Sequence, residues 1–200
     1  MRLRKLLPGE LDDEQRAVYD AIAGGPRANG SAFRLVDDEG GLEGPFNAML
    51  LQPGLGAALQ ELGSAVRYRT ALSTRAREIA ILTVARVRRS DFERYAHEAV
   101  AAAAGFTTPE LHALRTGDAT VFTDPADRLI ADLSAALAER GDLTDDEFAS
   151  ARDVLGLPVL FELTTLIGYY STLALQLRVF RVAAPGSLDT EGSATQDFPD

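Results

Sequence analysis

His97 lies four residues after Glu93 in Ser90-Asp-Phe-Glu93-Arg-Tyr95-Ala-His97, so the two side chains share a face if the segment is helical. Glu78, in Arg75-Ala-Arg77-Glu78, lies on the preceding segment and is placed to pack back against that face. A carboxylate beside an imidazole, with a second carboxylate and several arginines nearby, is a set of groups that can move a proton. Histidine titrates near neutrality, and a neighbouring carboxylate favours its charged form. His97, Glu93 and Glu78 are therefore the candidate catalytic residues. Arg75 and Arg67 are candidates for holding a substrate carboxylate through paired N–H donors. Tyr95 and Tyr169, with Tyr170 beside it, are candidates for a pocket wall. Asn47, in Gly-Pro-Phe-Asn, either caps a helix or reaches the pocket.

Each of these residues also has a plainer structural role open to it. Glu93 closes a Ser90-x-x-Glu93 capping box, and one carboxylate does not easily cap and catalyse together. Glu78 is placed to pair with Arg75 or Arg77. The arginines suit a solvated surface, and the tyrosines a core or a subunit interface. Glu78, Glu93 and His97 would supply three oxygen and nitrogen ligands, but such sets recur by chance. No metal site and no cofactor are expected.

The elements that must position these groups read as helices. Leu11-Asp-Asp-Glu opens the first, with acids in its first turn, and Gly24-Gly-Pro ends it. A short helix follows Gly44-Pro-Phe-Asn, and apolar residues at Leu55, Leu59, Leu62 and Val66 mark the next. Ser73 is the expected N-cap of the helix carrying Glu78, and Ser90 of the one carrying His97. Thr107-x-x-Glu110 and Thr144-x-x-Glu147 are two further capping boxes, and Asp124-Pro125 starts the helix between them. Leu157-Pro158 precedes a long apolar helix running to about Val182. Only residues 32–43, around Asp37-Asp-Glu-Gly-Gly, read as a short hairpin. The fold class is all-α, in one domain over 1–184. Residues 185–200 have no periodicity and read as a flexible acidic tail.

Composition narrows the partners. The 200 residues carry a net charge of −10, which disfavours nucleic acid and anionic membrane. Lys5 is the one lysine; every other basic residue is arginine. Cysteine is absent, which excludes disulfides, thiol nucleophiles and thiolate-held metals. The apolar run at the N-terminus is too short for a signal peptide, and no stretch reaches the ~20 apolar residues of a membrane span. A cytoplasmic location is expected.

At Arg77-Glu78-Ile79-Ala80-Ile81-Leu82, Phe92-Glu93-Arg94-Tyr95-Ala96-His97-Glu98 and Ala104-Gly105-Phe106, the chain resembles the carboxymuconolactone decarboxylase family. Its superfamily includes the AhpD-like alkylhydroperoxidases, and the likeness is strongest over about residues 44–117. Peroxidase-type members carry a glutamate, a Cys-x-x-Cys pair and a histidine. Glu78 and His97 keep that spacing of 19, while the cysteine positions fall on Ser90 and Glu93. The resemblance thus implies a cysteine-less branch with the proton-relay residues kept and no thiol peroxidase activity. Decarboxylase-type members often have an aromatic after the second glutamate; here Arg94 stands there and Tyr95 follows. The implied fold is an AhpD-like helical bundle, here with the short N-terminal hairpin.

The implied activity is a cofactor-independent lyase or decarboxylase acting by acid–base catalysis on a small oxo-acid or lactone. The alternatives are a non-catalytic oligomeric AhpD-like scaffold or stress-related protein, and a cofactorless hydrolase or cyclase of secondary metabolism. The expected partners are a small carboxylate or lactone substrate and other copies of the chain. The resemblance implies a trimer or hexamer, and the long apolar helix has more apolar surface than one helical layer covers.

Overall fold

The computed structural model describes residues 2–25, 28 and 34–184. The expected tail at 185–200, and residues 32 and 33 of the expected hairpin, lie outside them. Eight α-helices follow one another: α1 (Asp13–Ala23), α2 (Phe46–Met49), α3 (Pro53–Tyr68), α4 (Thr74–Arg88), α5 (Asp91–Ala103), α6 (Thr108–Thr116), α7 (Pro125–Arg140) and α8 (Asp145–Val179). Single 3-10 turns lie at Pro8–Glu10 and Ala119–Val121. The fold is all-α, as the sequence predicts.

α4 is the axis of the bundle. It packs against α5, α6, α7 and α8, and residues Glu78 to Ala85 are buried without interruption. A helix buried on all sides needs apolar residues all round, and Ile79-Ala-Ile-Leu82 and Val84 supply them. Glu78 and Thr83 are the exceptions; the Thr83 hydroxyl donates to Ile79 O at 2.7 Å, and burial of the Glu78 carboxylate likewise demands a partner. Ser73 opens α4 as predicted, its hydroxyl accepting from the Ala76 N–H at 3.0 Å. Arg89 closes it in the left-handed region (φ 53°), so the chain reverses directly into α5. The buried set of α5 (Phe92, Glu93, Ala96, His97, Ala101) has helical spacing and forms one face.

The long helix is two pieces. Thr144 and Glu147 form the predicted capping box. Gly156 then leaves the helical region (φ 78°, ψ 157°), and Pro158 follows inside the new first turn. Proline fits there because the first N–H groups of a helix have no partner to lose. Beyond the break, Leu163, Leu166, Ile167, Tyr170, Leu173 and Leu177 form the face turned to the core. By length and composition alone α8 could cross a membrane, with 33% of its most apolar window buried in the bundle.

The expected hairpin is short. Among the described residues, a single antiparallel bridge joins Val36 and Leu42. Backbone bonds close the turn, from Asp37 N–H to Gly41 O and from Glu43 N–H to Leu35 O, each 2.9 Å, and the Asp37 carboxylate adds to them by accepting from the Glu39 and Gly41 N–H groups, at 3.0 and 2.7 Å. Lys5 Nζ sits between Asp37 and Glu43, 2.7 Å from each. Pairing cannot extend past Glu43, because Gly44 turns the chain away with φ 63°. A Cβ on Gly44 would stand 2.3 Å from the Phe92 ring, so this turn requires glycine.

Candidate active site

Glu78, His97 and Glu93 meet between α4, α5 and α8, and they are 1, 5 and 2% exposed. His97 Nδ1 and Glu78 Oε2 are 2.7 Å apart, across a helix–helix contact. With Nδ1–H donated to Glu78, Nε2 is the nitrogen left to take up or release a proton. Among the described residues, no arginine pairs with Glu78. The expected ion pair with Arg75 or Arg77 is therefore replaced by the histidine. Arg77 donates to Leu72 O at 2.6 Å and to Thr74 Oγ1 at 3.0 Å.

Glu93 lies one turn before His97 on the same buried face. Among the described residues, neither of its carboxylate oxygens nor Ser90 Oγ has a partner at full hydrogen-bond geometry, although the Ser90 hydroxyl lies close enough to act on the carboxyl. The capping box is corrected accordingly: Ser90 is the N-cap residue, but no side-chain bond forms there. Burial pushes the Glu93 carboxyl up to about 8, and the nearby Ser90 hydroxyl offsets only part of that. At neutral pH the group is a carboxylic acid carrying its proton.

An aromatic ring and a cation complete the cluster. Tyr170, on the buried face of α8, stands edge-on to the His97 ring at 5.2 Å between centroids. Its hydroxyl accepts from Arg67 Nη1 at 3.0 Å. The Tyr170 oxygen first, and Glu78 after it, hold the half-buried Arg67 guanidinium firmly in its charged form, against the opposing effect of burial. Burial raises the Tyr170 phenol, and Arg67 works against that rise. Tyr169 packs edge-on to Tyr170 at 5.3 Å, one ring further from the histidine. The sequence groups the two tyrosines without ranking them. Both keep a 3–4 spacing between Leu166 and Leu173, so the pattern does not rank them; the contact with the His97 ring does.

Three predicted site residues are placed elsewhere. Arg75 pairs with Glu110 of α6 and Asp127 of α7, and its guanidinium lies 4.3 Å from the Phe106 ring centroid. Its donors are spent on joining helices. Tyr95 is 41% exposed and makes its ring contact with Phe92. Asn47 is buried, but its amide accepts from Leu6 N–H at 2.9 Å and donates to Arg4 O at 3.0 Å. It neither caps a helix nor turns to His97; it ties down the N-terminal segment.

A cleft of about 190 Å³ on the α4–α5–α6 side is lined by Ser90, Arg86, Arg89, Arg94 and Arg115 among others. Glu93 and His97 are not in its lining. Among the described residues, no three histidine, aspartate or glutamate side chains are grouped as a metal ion needs. What the site holds is a proton-carrying acid, an imidazole oriented by a carboxylate, and a fixed cation on a phenol. That set can donate and accept protons and can offset one negative charge.

No curated protein matches the chain. A family model does match, over residues 53–136, which span α3 through most of α7 and so include Arg67, Glu78, Glu93 and His97. Over that segment the chain is similar to the carboxymuconolactone decarboxylase family, and it carries no cysteine.

Proposed function

We propose that the protein is a cofactor-independent acid–base enzyme, of the lyase or decarboxylase kind, acting on a small oxo-acid or lactone. The observation that carries this reading is Glu93. A buried carboxyl with no hydrogen-bond partner costs stability, on the order of 1–3 kcal/mol for an unsatisfied group. Such a cost is tolerated where the group has a task, and perturbed carboxyls cluster at functional sites.

In the proposed reaction the C–C bond to the substrate carboxylate breaks and CO2 leaves. The bonding pair moves into a conjugated carbonyl, which gives a dienolate without any cofactor. Arg67, steadied by Tyr170, would hold the substrate anion. His97 would protonate the dienolate carbon from Nε2, with Glu78 orienting the ring through Nδ1. Glu93 would return a proton to His97 or deliver it directly. The substrate would enter through rearrangement of the packed face or through a neighbouring copy.

The scaffold reading has its own observation: the His97 ring is packed under Tyr170 and already paired. Assays with small oxo-acids and enol-lactones separate the readings. Consumption with CO2 release supports the lyase; consumption without CO2 supports the hydrolase or cyclase; no consumption supports the scaffold. Within the lyase reading, His97→Gln should lower kcat by about 10²–10⁴-fold with an unchanged circular dichroism spectrum. Undiminished turnover in that variant would remove His97 from the mechanism.

A further inference from the structure

The outward face of α8 has a pattern that neither the core nor the site uses. After the break at Gly156, the exposed positions in line with Gly168 are Leu157, Phe161, Thr164, Gly168, Thr172, Leu175 and Val179, with exposed Pro158 and Arg178 standing to either side of that line. None of the seven in line is charged, in a chain of net charge −10. The steps between them are four, three, four, four, three and four residues. Their mean, about 3.7, is close to the 3.6 of a straight helix, so the stripe runs nearly parallel to the axis. The order of residue types is the same from either end. Large apolar residues stand at the two outer positions on each side, then threonine, with Gly168 at the centre. Leu157 and Val179 are each 11 residues from Gly168, Phe161 and Leu175 each 7, Thr164 and Thr172 each 4.

We propose that this stripe pairs with the same stripe of a second copy of the chain, antiparallel, about a two-fold axis through Gly168. A two-fold interface must be self-complementary: what residue i meets on the other copy must in turn meet i. The stripe satisfies that at every position. Phe161 of one copy meets Leu175 of the other, Thr164 meets Thr172, Leu157 meets Val179, and Gly168 meets itself. Glycine at the crossing lets the two helix axes approach, and no heavy atom lies within 4 Å of where its Cβ would be.

The exposed area is sufficient. Leu157, Phe161, Leu175 and Val179 are 55, 72, 64 and 49% exposed. Burying them with the threonines on both copies, along a seam of ~33 Å, removes on the order of 1,000 Å², where specific interfaces begin. The charges also fit. Arg88 and Arg178 border Leu175 and Val179. Among the described residues, Arg88 donates to Ser171 Oγ and Arg178 to Arg88 O, and neither meets a carboxylate. Cations thus edge a contact between two acidic molecules. The pairing stands apart from the acid–base reading, and it generates assemblies of even number: a dimer, or a hexamer, but not a lone trimer.

The absence of cysteine makes the test clean. Gly168→Cys puts a thiol on the axis, and mild oxidation should convert most of the chain to a covalent dimer on a non-reducing gel. Thr164→Cys and Thr172→Cys should each stay uncrosslinked alone and crosslink when mixed. Phe161→Asp should lower the mass seen by light scattering by the two-fold factor this interface supplies. An unmodified chain that runs as a monomer or a trimer overturns the proposal. So does an oligomer whose Gly168→Cys variant forms no covalent dimer. A monomer that instead floats with phosphatidylcholine vesicles overturns it too, and assigns the stripe to a lipid surface.

Discussion

Glu93 and Glu110 are acids on neighbouring helices, and their surroundings are opposite. Glu110 closes the α6 capping box and pairs with Arg75, which also holds Asp127. Burial acts to raise its carboxyl, but the Thr107 N–H, the Thr107 hydroxyl and Arg75 together hold it below the usual carboxylate range. Glu93 has burial and almost nothing against it, and rises to about 8. One region uses charge to join α4, α6 and α7; the other withholds a counter-charge and keeps a proton. The difference teaches that arginine density does not locate the site. Arg75 has the most partners and the least freedom to bind anything else, while a carboxyl without partners marks the place where a proton is kept ready.

The two acids should therefore respond to pH with opposite signs. A carboxyl raised in the folded state contributes stability below its unfolded value, near 4.5, and loses it as pH rises toward 8. Removing that titration with Glu93→Gln should leave stability similar at pH 4. At pH 9 the variant should exceed the parent by roughly 3–5 kcal/mol. Denaturant unfolding at the two pH values measures this, and parallel curves would erase the contrast with Glu110. Arg75→Ala should cost about 1–2 kcal/mol at pH 7, since its side chain is partly exposed. Because Glu110 is held low, that cost should fade as pH drops below 4.5, which urea titration in acid can follow. Asn47→Ala should cost about 1–2 kcal/mol by thermal unfolding, from two backbone groups left without their partner. Tyr95→Ala should change stability by about 0.5 kcal/mol and leave turnover alone, being a surface contact. A large loss of turnover there would return Tyr95 to the site.

The helices and most of their ends were legible because caps are local. Ser73, Thr107, Asp124 and Thr144 each act within three residues, and each is found capping. Ser90-x-x-Glu93 has the same spacing and fails, because α8 covers that face and the carboxylate goes inward. The Glu78–His97 pair was legible from a spacing that puts both on adjoining helices. The Arg67–Tyr170 bond, 103 residues apart, was not. Nothing local separates Arg67 from Arg75; only the packing of α3 on α8 turns one toward the histidine and leaves the other to α6 and α7. The hairpin turn was legible, but alternation of apolar residues does not say how soon Gly44 ends the pairing.

Lys5 carries one further consequence. It is the chain's single ε-amine, and it is clasped by Asp37 and Glu43. Those two carboxylates raise its pKa despite the opposing effect of burial, so the free-base amine is scarce at neutral pH. Acetylation, glycation and isopeptide bond formation all begin with attack by that free base. A surface built from arginine, with its one lysine held this way, offers such chemistry almost no foothold.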